Sequence, residues 1–134
     1  MPRFVHIDIS ADNPERAAAF YRQAFGWTVT RLEGPMPYWL VAVDAADPNA
    51  MGAGIGQRTE SWQSTAPTID VADADQAAAA IVAAGGSIVI PKTPIPGVGQ
   101  LVTFKDTEGN VMAVLESAPA SDLQAGQGGA QSAT

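Results

Sequence analysis

The chain holds one histidine, His6, and no cysteine. That excludes a disulfide framework, a thiolate metal site and a cysteine nucleophile. His6 precedes Asp8 and Ser10 in an alternating stretch, Phe4 to Ser10, so an imidazole, a carboxylate and a hydroxyl share one strand face. Such a face can offer a metal ligand or hydrogen-bonding groups for a ligand. Serines 10, 61, 64 and 87 have no histidine in a pattern that supports a Ser-His-Asp triad. Gly52-Ala53-Gly54-Ile55-Gly56 is glycine-rich, but it falls in a strand and no helix with a lysine opens after it. It is therefore read as a place where backbone or ligand approaches closely, and not as a phosphate loop.

Aromatic and sulfur side chains are the other candidates for contact. Tyr38 and Trp39 begin a strand, Trp62 lies on a connector, and Met51 and Met112 flank the glycine-rich and final strands. Gln100, Val102 and Phe104 alternate along a late strand. Stacking on such rings is worth about 0.5–1.5 kcal/mol per aromatic pair beyond the area buried. Strand parity leaves open whether Tyr38 or Trp39 faces the ligand. Trp27, beside a helix-stopping glycine, is assigned to the core.

The elements that must position these groups repeat. Shifted by 60 residues, Arg16-Ala17-Ala18-Ala19 falls on Gln76-Ala77-Ala78-Ala79, Gly26 on Gly86, and Ile9 on Ile69. In the first half, the strand Phe4 to Ser10 leads to a helix from the Asp12-Asn13-Pro14 start to about Phe25, stopped by Gly26. Strands follow at Trp27 to Leu32, at Tyr38 to Val43 after the Gly34-Pro35-Met36-Pro37 turn, and at Met51 to Gln57. In the second half, the strand Thr68 to Val71 leads to a helix Gln76 to Ala84, capped by Asp73 or Asp75. Strands Ser87 to Ile90, Gln100 to Phe104 and Val111 to Leu115 complete it, the last two joined by the turn Asp106 to Asn110.

The sequence thus predicts an α+β fold of two tandem βαβββ units, about 4–57 and 66–116, within a single domain of residues 1–117. Their sheets are expected to form a concave mixed-sheet cup, the kind of surface that takes small molecules. Residues 118–134 are almost all Ala, Gly, Gln and Ser, with Leu123 the one plausible anchor, so a disordered tail is expected there.

Composition bounds the partners. The chain has 134 residues, 46% hydrophobic and 16% charged, which suits one globular domain. With seven Lys and Arg against fourteen Asp and Glu, the net charge is −7. Neither nucleic acid nor an anionic membrane suits that balance, whereas a neutral or cationic small molecule does. No leader and no apolar run long enough to span a membrane is seen, so a cytoplasmic location is expected.

Several stretches together resemble the vicinal oxygen chelate superfamily, the glyoxalase / bleomycin-resistance / extradiol-dioxygenase fold. They are His6-Ile7-Asp8-Ile9, Asn13 to Tyr21, Phe25-Gly26-Trp27, Ala84-Gly85-Gly86, Pro91-Lys92-Thr93 and Phe104 to Asn110. The resemblance covers about Phe4 to Glu116. It implies the fold above, and it leaves function open among lyases, epimerases, dioxygenases, thiol transferases and drug binders.

Enzymes of that superfamily hold a divalent metal with His, Glu or Gln from the first and fourth strand of each unit. Carried over, those positions are His6, Ala66, Ala53 and Ala113. Three have no ligand atom, and Glu116 lies on the opposite face from Ala113 by strand parity. No metal, no cofactor and no catalytic residue is therefore assigned. The expected ligand contacts are His6, Asp8, Tyr38, Trp39, Met51, Trp62, Gln100, Val102 and Phe104. Asp8 and Asp70 are candidates to face a cationic group. The resemblance then favours a metal-free protein that sequesters an antibiotic or toxin, an aromatic or polycyclic natural product, without turnover. The alternative is a glyoxalase-like lyase, epimerase or dioxygenase with a degenerate metal site. A homodimer is expected, because two-unit chains of this family commonly pair.

Overall fold

A computed structural model describes residues 1–34, 37–44, 46, 47 and 49–118. Residues 35 and 36 of the expected turn, the tail 119–134 and its Leu123 lie outside the described residues. The described residues divide into two compact units, one of His6–Ala66 and the other of Met1–Val5 with the residues from Pro67 on. Each has the βαβββ order, and the fold is α+β as the sequence predicts.

In the first unit, β1 (Arg3–Ala11) leads into α1 (Pro14–Phe25), then β2 (Thr28–Leu32), β3 (Tyr38–Ala42) and β4 (Gly52–Gln57). The strands lie in the order β2-β3-β4-β1, with β1 parallel to β4 and the other pairs antiparallel. The N-cap of α1 is Asn13, whose side chain accepts from the Arg16 N–H, and Pro14 occupies the first turn. Gly26 ends the helix in the left-handed region at φ 71°, its N–H donating to the Arg22 carbonyl. Alternation sorts the sheet. Ile7 and Ile9 of β1 pack with Val29, Trp39, Val41, Ala53 and Ile55 beneath Ala18 of α1. Next to this core, Tyr21 stacks on Trp27 at 5.6 Å, so Trp27 packs against the core as expected.

In the second unit, β5 (Ala66–Asp70) leads into α2 (Ala74–Ala83), then β6 (Ser87–Ile95), β7 (Gly99–Lys105) and β8 (Val111–Ser117). The order is β5-β8-β7-β6. Ala74, Val102, Phe104 and Val114 form its core. Asp73 caps α2 by accepting from the Gln76 N–H, and the Glu116 carboxylate accepts from the Ala74 N–H at 2.8 Å. Asp106 builds the β7–β8 turn, accepting from the Glu108 and Asn110 N–H groups and from the Asn110 amide. Those bonds, the Asn110 side chain first, hold its carboxyl below the ordinary value.

Most element ends shift by one or two residues from the expectation, and two differences go further in what they show. β6 runs on past Ile90 through Pro91 and Pro94 to Ile95. Among the described residues it is the outer strand of its unit and pairs with β7 alone, with register breaks between Ile88 and Thr93, so prolines are tolerated there. Ala118, assigned to the tail, donates its N–H to the Val98 carbonyl at 2.9 Å. Among the described residues no helix is long and apolar enough to cross a membrane.

Candidate functional site

The face of the β2-β3-β4-β1 sheet turned away from α1 carries the polar residues. On β1 these are His6, Asp8 and Ser10, directly beside Gly52, Gly54 and Gly56 of β4. Beyond β4, β3 places Tyr38 opposite Gly56 and Leu40 opposite Gly54. Two strands that flank a shared neighbour are roughly 9–10 Å apart, too far for most side chains to meet. A strand whose every second residue is glycine leaves the space above it open. The Tyr38 ring lies across β4 in that space, and a Cβ on Gly54 would overlap its hydroxyl and Cζ.

Across this glycine floor Tyr38 donates its O–H to Asp8 Oδ1 at 2.8 Å. His6 Nε2 lies 3.2 Å from the same carboxylate oxygen and 3.0 Å from the Tyr38 oxygen. A carboxylate only accepts, so the network assigns the imidazole hydrogen to Nε2. Nδ1 has no hydrogen-bond partner among the described residues. The side chain of His6 is 12% exposed and that of Asp8 42%. Tyr38 is held protonated well above the ordinary phenol range, by burial first and then by the charge and hydrogen bond of Asp8.

His6, Asp8 and Tyr38 are thus the expected contact residues that the fold brings together. Trp39 is not with them. It faces α1, is 6% exposed and has the Arg31 guanidinium 5.2 Å above its ring. Parity, undecided in the sequence, puts Tyr38 on the polar face and Trp39 in the core. Val102 and Phe104 also belong to a core, the α2 side of the second unit, and Gln100 lies on that side opposite Glu116. Met51, just before β4, and Trp62, in the turn between Glu60 and Gln63, are exposed. Asp70 lies on β5, where the Ser117 hydroxyl reaches it at 3.4 Å.

The metal positions need one correction. Ala53 faces α1 and is part of the core, so it is not the mate of Ala113. Asp8 stands beside Gly54, and Thr68, its repeat mate, beside Ala113. The first-unit position is therefore Gly54, one residue on, with no side chain at all. Glu116 caps α2 on the far side of its strand. A zinc site of the ordinary kind needs three or four converging donors. His6, Gly54, Ala66 and Ala113 supply one side-chain donor, and no group of three His, Cys, Asp or Glu that could hold a metal exists among the described residues. The donor set does not fit a divalent metal.

The sequence missed the function of the glycines: they admit the chain's own Tyr38. The alternate spacing of Gly52, Gly54 and Gly56 was the available signal, since it clears one face of a strand.

Comparison with known proteins supplies the wider setting. "Putative glyoxylase CFP32" of Mycobacterium bovis and of Mycobacterium tuberculosis are each 31% identical over 115 residues, 84% of this chain and 43% of theirs. The chain thus spans less than half the length of these curated relatives. Among solved structures, methylmalonyl-CoA epimerase from Mycobacterium tuberculosis matches with a TM-score of 0.63 at 14% identity, over 87% of this chain and 88% of that one. A variant of the Streptomyces coelicolor methylmalonyl-CoA epimerase matches with a TM-score of 0.64 at 20% identity, over 87% and 98%. At those identities the likeness is one of fold. Residues 3–114 match a family model across both βαβββ units, and the chain belongs to the Glyoxalase/Bleomycin resistance protein/Dioxygenase superfamily.

Proposed function

We infer that this chain is a small-molecule-binding protein that works without a bound metal and holds an antibiotic or toxin rather than converting it. One observation carries the reading. Of the four positions at which the superfamily's enzymes place metal ligands, three have no donor atom, and the fourth, His6, is engaged through Nε2 with Asp8 and Tyr38. Binding needs only a complementary face, whereas metal-assisted conversion needs an electrophile that this donor set does not hold. The exposed Trp62 and Met51 add apolar surface that a planar ligand can cover.

A second reading rests on the His6 ring itself. An imidazole oriented by a carboxylate is a common proton-transfer group. This fits the glyoxylase name of the relatives and the epimerase structures.

Elemental analysis of dialysed protein, then native mass spectrometry with a panel of planar and polycyclic antibiotics, separates the two. Binding of one compound per chain, unaffected by chelator and with the compound recovered unchanged, supports the first. Stoichiometric metal overturns it. So does turnover of a hemithioacetal or acyl-thioester substrate that His6→Ala abolishes.

A further inference from the structure

The polar face of the first unit holds a carboxylate with no cationic Lys or Arg partner among the described residues. Asp8 is the one acidic residue on it: β4 contributes only glycines, β3 contributes Tyr38, Leu40 and Ala42, and β2 contributes Thr28, Thr30 and Leu32. The four arginines of the unit all lie elsewhere. Arg16 is on α1, across the sheet. Arg22 donates to the Val29 carbonyl at 2.6 Å. Arg31 sits over Trp39, on the α1 side. Arg58, just past β4, is taken up by Asp12 at 2.9 Å, by the Ser10 carbonyl and by the Gln63 carbonyl.

Among the described residues only the phenol of Tyr38 and the Nε2–H of His6 attend Asp8, and both bind the same oxygen, Oδ1. Two donors on one oxygen fix the carboxylate's orientation. They leave Oδ2 without a partner among the described residues, on a side chain 42% exposed. A carboxylate that is half out of solvent and held in one orientation attracts a cation more strongly than a free one does, because nearby low-dielectric protein weakens screening. The net charge of −7 favours the approach of cations in general.

We propose that this face recognises an ammonium or amidinium group of the ligand through Asp8 Oδ2, with Tyr38 and His6 as positioning residues. The proposal rests on the metal-free binding reading and names the chemical class of its ligand. A charge-assisted N–H donor to Oδ2 completes the carboxylate's hydrogen bonding.

The test uses three probes of one shape: benzamidine, benzamide and benzoate, titrated into the full chain and followed by backbone amide shifts and calorimetry. Benzamidine is expected to bind at least about tenfold more tightly than benzamide, with shifts centred on Asp8 and Tyr38, and to weaken as salt is raised. Asp8→Asn, which keeps the acceptor for both donors, is expected to erase the preference. Equal binding of the three probes overturns the proposal, as does a preference that survives in Asp8→Asn. Should that variant fail to fold, the wild-type shifts decide: no benzamidine-induced change at Asp8, His6 or Tyr38 overturns it. A doubly protonated His6 ring at neutral pH, seen by nitrogen NMR, also overturns it, because Asp8 then has an internal counter-ion. A neutral ligand bound tightly on this face by the metal-free protein overturns the cation preference alone. Turnover of a substrate overturns the binding-protein reading and leaves the preference standing.

Discussion

The Tyr38 phenol lies where a Cβ on Gly54 would be, and that one missing methyl group lets a residue of β3 reach Asp8 of β1 across the strand between them. Gly54→Ala therefore forces the ring aside and breaks its bonds to Asp8 and His6. We expect a loss of about 1–3 kcal/mol, as for overpacking at a fitted site. At Gly56 the nearest Tyr38 carbon would be 3.7 Å from an added Cβ, an ordinary contact. Gly56→Ala should stay within about 0.5 kcal/mol of the parent. Denaturant unfolding of the two variants checks the contrast. Equal effects would show that Tyr38 does not occupy the space over Gly54.

The same strands show which parts of the site are legible in the sequence. The alternation of His6, Asp8 and Ser10 against Ile7 and Ile9 has a period of two, so it gave β1 and its polar face directly. The helix start at Asn13-Pro14 and the stop at Gly26 are local signals of the same kind. Tyr38 and Trp39 are different. Both suit either face of a strand, and only the pairing of β3 with β4 decides between them. The sequence puts Ala53 on the wrong face for a related reason. The internal repeat has an offset one residue shorter at β4 and β8 than at β1 and β5, and a one-residue slip exchanges the faces of a strand.

The hydroxyl of Tyr38 makes its own prediction. Tyr38→Phe keeps the ring over the glycines and removes the donor to Asp8. A hydrogen bond to a charged group contributes about 1.5–3 kcal/mol, and less where water competes, so a loss of about 1–2 kcal/mol is expected. A loss near zero would mean that water replaces the bond freely.

Alkaline pH tests the same group by another route. Burial and Asp8 raise the Tyr38 phenol above its ordinary value in the folded protein. The unfolded phenol ionises near about pH 10. Below that pH neither state ionises and the contribution of Tyr38 is fully present. Above it the unfolded chain releases a proton that the folded chain retains, so stability falls as pH rises. The chain has two tyrosines. In Tyr21→Phe only Tyr38 remains, and phenolate absorbance should then appear together with the loss of folded structure. Ionisation near about pH 10 in the folded variant would contradict the buried placement.

Glu116 is predicted to matter to folding and not to ligands. Its carboxylate accepts from the Ala74 N–H at the start of α2, beside the Asp73 cap. Glu116→Ala should cost about 0.5–2 kcal/mol, the range for a lost helix cap, whereas Glu116→Gln keeps an acceptor and should cost less. Metal affinity should be the same in both variants and in the parent. A change in metal binding on Glu116→Ala would reopen its role as a ligand.

Trp39 and Trp62 separate packing from recognition. Trp39 is 6% exposed and packs among Val29, Val41 and Ile55, whereas Trp62 is 36% exposed in a turn. Trp39→Ala empties a core site, so a loss of about 3–5 kcal/mol is expected. Trp62→Ala should leave stability within about 0.5 kcal/mol of the parent. Weaker ligand binding in Trp39→Ala would therefore follow from unfolding, and it should recover in conditions that stabilise the fold. Weaker binding in Trp62→Ala cannot be explained that way and would place that ring against the ligand. Unfolding curves measured beside binding isotherms for both variants check this. If Trp39→Ala binds poorly while fully folded, the assignment of Trp39 to the core alone is wrong.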